Sequence, residues 1–185
     1  MAEWVPEFSR VPLQLQDEQR AIEALIRASF KGVRLDGGTS WRQAELDDGI
    51  VLSQAELDAW DDVYAAAGVA HADKPWEELV EDGEWHEETV FNVLDARGFR
   101  YYMAPAMIRC LRRGGRMFLG NPFAGHPFLD DLQDLMTKDQ LATTARFVRF
   151  MAKFDTEYEG EDGCYSWQKA YRDIWQQWEK AAREL

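Results

Sequence analysis

Three short patterns constrain this chain more than anything else in it: Ser40-x-x-Gln43, Ser53-x-x-Glu56 and Thr137-x-x-Gln140. In such a capping box the hydroxyl accepts from the backbone N–H three residues on, and the Gln or Glu side chain reaches back to the cap's own N–H. Two of the donors stranded at a helix start are satisfied this way, so each box commits the residues after it to a helix. The boxes predict a short helix near Trp41 to Asp47, a longer one through Leu57, Trp60, Val63 and Tyr64, and a long one from Thr137 to Phe154.

Helical spacing accounts for most of the remainder. Ile22, Leu25, Ile26 and Phe30 share one face of a helix opened by Asp17 and ended by Gly32. Pro75 to Leu79 suggests a single turn, Glu87 to Leu94 a helix, and Phe128 to Leu135 another. Trp167, Tyr171, Ile174, Trp175 and Trp178 form a stripe over about Ser166 to Arg183, which is core material. Strand-like alternation is confined to a possible short piece at Arg116 to Leu119. The expectation is an all-α protein: a single compact domain of about seven helices over residues 16–185, preceded by an extended arm over 1–15 that carries Pro6 and Pro12. At 185 residues such a domain buries a core without disulfides.

The stretch Asp95-Ala-Arg-Gly-Phe-Arg-Tyr-Tyr-Met-Ala-Pro-Ala-Met107 sits at the middle of this plan. Gly98 is placed to end the helix that starts at Glu87, because glycine takes positive φ at little cost. Pro105 is placed to start the next helix, where its missing N–H is no loss. The prediction is the hinge of a helical hairpin, with Phe99, Tyr101 and Tyr102 plugging its base, and Gly114-Gly115 ending the second arm.

These residues also resemble a known pattern. Gly98-Phe-Arg-Tyr-Tyr-Met103 followed by Pro105-Ala-Met107 is similar to the Gly-Phe-Arg-aromatic-Tyr-Leu-Pro-Ala-aromatic-Met core of an uncharacterised bacterial family of unknown function. The likeness extends from about Ala21 to Trp178, and it departs from the pattern where Ala104 takes the family proline's place and Pro105 follows one position later. It implies a shared fold and brings no activity with it.

Charge is distributed unevenly. The net charge is −13, yet the block from Asp36 to Asp95 alone holds seventeen acids against Arg42 and Lys74, a local −15. From Arg97 to Arg116 there are six arginines and no acid. An acidic surface repels nucleic acid and attracts basic proteins. No run approaches the 18 apolar residues of a membrane span, and the N-terminus has no basic and apolar leader, so the expected setting is cytoplasmic. Cys110 and Cys164 are far apart, with no metal or redox spacing; Cys110 reads as core.

Catalytic patterns are missing. His71, His86 and His126 lack metal-ligand spacing, and no nucleophile elbow or phosphate loop is present. Asp155-x-Glu157-x-Glu159-Gly160 resembles the start of a calcium loop, but Ser166 stands where a bidentate Glu is required, so it reads as a solvated acidic loop. No cofactor or metal is expected. Two surfaces are left as candidates. The first is a partner-binding surface of Glu77, Glu78, Glu81, Asp82 and Glu84, anchored by Trp76 and Trp85, for an immunity-like or inhibitory protein that docks on a basic partner. The alternative is an anion or small-molecule pocket, enzymatic or not, built from Arg100, Tyr101, Tyr102, Arg109 and Arg113 at the hinge. Against both stands pairing within the domain, with Arg109, Arg112, Arg113 and Arg116 neutralising part of the acidic block.

Overall fold

The structure is a computed structural model that describes residues 11–48, 52–69, 71–72, 74–82, 90–112, 123, 129–154 and 167–181. Its described residues are helical, without a strand among them. Of the expected arm, residues 1–10 lie outside the described part; Val11 is buried, and Leu13–Leu15 form a 3-10 turn that runs straight into the first helix instead of staying extended. That helix, α1, spans Gln16–Ser29, buries Ile22 and Ile26, and is closed by Phe30 before Gly32 at φ 77°.

All three capping boxes form. Ser40 opens α2, Trp41–Asp47; Ser53 opens α3, Gln54–Asp58; Thr137 opens α8, Lys138–Met151. The second box differs from expectation in what it starts. The chain breaks at Ala59, and Trp60–Val69 forms a separate helix, α4, packed on α2. After α5, Trp76–Leu79, a 3-10 turn at Val90–Asn92 covers the described end of the predicted 87–94 helix. Leu129–Leu135 forms α7; at the C-terminal end Trp167–Ala170 (α9), a π-helical turn at Tyr171–Trp175 and Gln176–Ala181 (α10) follow one another. The possible extended piece at 116–119 and the loop at 155–160 fall outside the described residues.

The hinge is not there. Ala96–Arg112 is one helix, α6, which passes through both Gly98 and Pro105. Its start explains the misplaced glycine: Asp95 is the cap, its Oδ1 accepting from the Gly98 N–H at 2.7 Å and from the Thr39 N–H at 2.9 Å. Gly98 is therefore in the first turn, and its lack of a side chain serves proximity, since a Cβ there would press on the Thr39 carbonyl oxygen. Gly38 is in the same position from the other side, with a Cβ falling 2.6 Å from the Gly98 nitrogen. Two backbones cross in contact at this point. Pro105 is buried within the helix interior, at the position where proline removes one intrahelical donor.

From Gly98 through Leu111 nearly every residue of α6 is buried, so α6 is the central rod of the molecule and α1, α5 and α7 pack on it. Phe99 is edge-on to Phe91 at 5.1 Å and to Phe123 at 5.8 Å, and Phe123 continues to Phe147, Trp167 and Trp175. The expected tryptophan stripe is thus core at Trp167 and Trp175, and the Trp175 indole donates to the Phe123 carbonyl at 2.9 Å. Burying side chains of this size stabilises by about 1.5–3 kcal/mol each. Cys110 is fully buried on α6, as its apolar position suggests; Cys164 lies outside the described residues.

Candidate functional site

The two groups of residues singled out by sequence can now be placed. Arg100 and Arg109 are nine residues apart on one uninterrupted helix, which puts them on opposite faces and about 13 Å apart along the axis. Arg100 is half-buried and its Nε donates to Gln140 Oε1 at 3.2 Å, on the side where α8 begins. Gln140 closes its capping box with the same oxygen, accepting from the Thr137 N–H, and its Nε2 donates to the Ser29 carbonyl. One glutamine thus joins α1, α6 and α8. Arg109 is buried on the far face, where Nε donates to the Val80 carbonyl at 3.1 Å and Nη2 to the Asp82 carbonyl.

Tyr101 and Tyr102 are both fully buried. The Tyr101 hydroxyl donates to the Lys74 carbonyl at 2.9 Å, fastening the segment before α5 to α6. Tyr102 Oη accepts from the Trp41 N–H at 2.8 Å and lies 2.8 Å from His71 Nδ1. Burial pushes both phenols well above the ordinary 10, with the Trp41 N–H opposing this at Tyr102. Neither the two hydroxyls nor the two arginines converge on a common space, so the hinge pocket is not assembled; Arg113, its fifth member, lies outside the described residues. The Tyr102–His71 pair was not foreseen, because a single His 31 residues upstream carries no spacing signal.

The proposed docking residues have a mixed fate. Trp76 is fully buried and its indole donates to the Phe30 carbonyl at 2.9 Å, which makes it an anchor of α5 to the end of α1 and removes it from any outer surface. Glu81 pairs with Arg112, which also meets Glu23 at 2.9 Å, and Asp82 pairs with Lys74 at 3.7 Å. Glu78 is exposed and Glu77 half-exposed. Glu84 and Trp85 lie outside the described residues, as do His86, His126 and Arg116. The segment 76–82 is thus clamped onto α6 by Arg109 through backbone carbonyls and by Arg112 through Glu81; of the pairing weighed from sequence, Arg112–Glu81 is an ion pair seen among the described residues, and Arg113 and Arg116 lie outside them.

The rest of the acidic block is arranged differently. Between Gln43 and Asp73 there is no Lys or Arg at all, and this part forms α3, α4 and their flanks. Every described residue from Ser53 to Ala59 is exposed. On α4 only Ala67 is buried; Trp60, Val63, Tyr64 and Gly68 face inward at half exposure, and Asp61, Asp62, Ala65, Ala66 and Val69 face out. Leu57 is 51% and Val69 71% exposed. Apolar residues run around the whole circumference of α4, which in sequence signals a helix with two apolar faces, while in the structure α2 is the helix beneath it.

Among the described residues no group of three His, Cys, Asp or Glu is placed to hold a metal ion, and no helix is long and apolar enough to cross a membrane. A cleft of about 180 Å³ between α1, α8 and α10 is lined by Glu18, Ile22, Leu25, Arg146, Arg149 and Glu179. Three of its charged groups are engaged: Arg149 pairs with the buried Glu179 at 2.7 Å, the Tyr171 hydroxyl donates to the same carboxylate, and Glu18 pairs with Lys153.

Residues 18–118 match the model of a family of unknown function, DUF6714. The matched span starts close to Ala21, covers the acidic block and all of α6, and stops well before Trp178. Comparison with curated proteins and with solved structures found no match.

Proposed function

The chain belongs to that family of unknown function, and from its own charge geometry we propose that it is a small acidic, non-catalytic protein that docks on a basic protein partner, in an immunity-like or inhibitory role within a bacterial cytoplasm. One observation carries this reading. Among the described residues, Glu45, Glu81 and Asp82 are the acids of the 36–95 block that pair with a cationic side chain, through Arg42, Arg112 and Lys74. Asp47, Asp48, Glu56, Asp58, Asp61, Asp62 and Glu78 are exposed, in a segment whose like charges repel one another, and a cationic partner would offset that repulsion while being steered to it from a distance.

Affinity capture from the native cell at low ionic strength, followed by titration of the recovered protein with salt, tests the reading. A basic partner whose affinity falls as the Debye length shrinks is the expected result. Binding that is indifferent to salt, or capture of no basic protein, abandons it. The competing pocket at Arg100, Tyr101 and Tyr102 has no supporting geometry, because the tyrosine hydroxyls are held by Lys74, Trp41 and His71.

A further inference from the structure

Building on that reading, we infer that the partner is met by α3 and the outward face of α4, and that the partner's own element is an amphipathic helix with Lys or Arg on its polar side and apolar anchors on the other. Among the described residues this face is uncovered and partly apolar: Leu57 and Val69 are the large hydrophobic side chains exposed on these two helices, with Ala65 and Ala66 between the ends of α4. Scattered exposed apolar residues need no explanation, but these belong to two consecutive helices whose buried contribution is Ala67 alone.

The rim fixes the chemistry of what can cover it. Glu56, Asp58, Asp61 and Asp62 are exposed on the same two helices as the apolar positions, and no Lys or Arg occurs from Gln43 to Asp73. A second copy of this chain would bring the same acids against these, and an isologous contact doubles the repulsion. Anionic lipid and nucleic acid are repelled for the same reason. A cationic amphipathic helix satisfies both parts at once, its apolar stripe on Leu57 and Val69 and its basic flank on the acids. Trp60 and Tyr64, with tilted rings 5.6 Å apart and half-exposed at the inner margin, supply the aromatic contact that such interfaces favour.

Three synthetic 18-residue helices serve as probes: one of Leu and Lys, one with the same Leu face but Glu for Lys, and one of Ser and Lys. Amide chemical shifts of the full chain are followed during titration. Saturable binding of the Leu–Lys helix is expected, with shifts centred on residues 54–69 and at least about tenfold weaker binding of the other two. Leu57→Ser with Val69→Ser, and separately Ala65→Lys with Ala66→Lys, are each expected to weaken the Leu–Lys helix by about tenfold or more, while Glu77→Lys with Glu78→Lys leaves it within about twofold. Five of the six positions are exposed and Glu77 is half-exposed, and an unchanged far-ultraviolet spectrum confirms that each variant folds.

Shifts centred on 76–82, or variants of α3 and α4 that bind as the wild type does, overturn the inference and leave the basic-partner reading standing. Equal binding of the Leu–Glu helix overturns both. Self-association seen by sedimentation and abolished by Val69→Ser assigns the face to a second copy and overturns the inference as well.

Discussion

A methyl group at position 98 would lie against the Thr39 carbonyl oxygen, well inside the 3.0 Å that real Cβ atoms essentially never breach. Within a helix Gly→Ala ordinarily gains about 1 kcal/mol. Here the contact is with backbone, which cannot rotate away, so Gly98→Ala is expected to destabilise by about 1–3 kcal/mol in urea titration. A gain instead would show that the 38–39 crossing yields easily. Phe99, next in the chain, touches Phe91 and Phe123 and is 1% exposed; Phe99→Ala should cost about 3–5 kcal/mol. Its core role was legible from the sequence although the surrounding hinge was not, because a large aromatic beside an apolar run is buried in either topology. Tyr102 gives a prediction of opposite character. Its folded-state pKa is raised above the unfolded 10, so the unfolded chain ionises first and stability is lost as pH rises past 10 and through the folded value. Tyr102→Phe should be less stable at pH 7, having lost the Trp41 N–H contact, but should show a shallower decline above pH 10 in thermal melts.

At the scale of elements, capping chemistry was readable and termination was not. The three boxes form as written, because the hydrogen bonds involved are local and need no knowledge of the rest of the fold. They differ in what else the cap does. Ser40 is buried and its hydroxyl also donates to the Ala67 carbonyl at 2.7 Å, joining α2 to α4, whereas Ser53 is exposed. Ser40→Ala should therefore cost about 2 kcal/mol and Ser53→Ala about 0.5–1, compared by chemical denaturation. If the two losses are equal, the α2–α4 tie contributes nothing. The failure at α6 has a definite cause. Glycine after an apolar run and proline before another are standard stop and start signals, but Asp95 three residues ahead of Gly98 is an equally standard cap, and a tertiary contact with Thr39 decided between them. The candidate pocket depended on that hinge; once the chain continues as one helix, nine residues of separation place Arg100 and Arg109 on opposite faces. Trp76 was misread for a related reason. Its neighbours are acids, so it looked like a surface anchor, and only the fold brings the Phe30 carbonyl to its indole.

For the molecule as a whole, two electrostatic effects act in opposite directions, and salt and pH separate them. The net charge of −13 opposes compaction at neutral pH, most of all in the 43–73 segment, which has no cation of its own. Raising ionic strength from about 0.01 to 0.15 M shortens the Debye length from roughly 30 to 8 Å, so Tm at pH 7 is expected to rise with salt. Against this stands the Glu23 hub between α1 and α6. Burial pushes its carboxyl up, but hydrogen bonds from Arg112 and Arg27 outweigh that and hold it below its ordinary 4.5. A lowered folded-state pKa means that the unfolded chain takes up the proton first: the contribution is complete above 4.5 and is lost as pH falls through the folded value. Glu23→Gln should thus lower Tm at pH 7 and flatten its fall below pH 4.5, while the rise of Tm with salt at pH 7 persists, because that rise comes from the acids of α3 and α4 and not from the hub. A salt response that vanishes in Glu23→Gln would place the repulsion at α1 instead, and the exposed acids of α3 and α4 would then impose no strain for a basic partner to relieve.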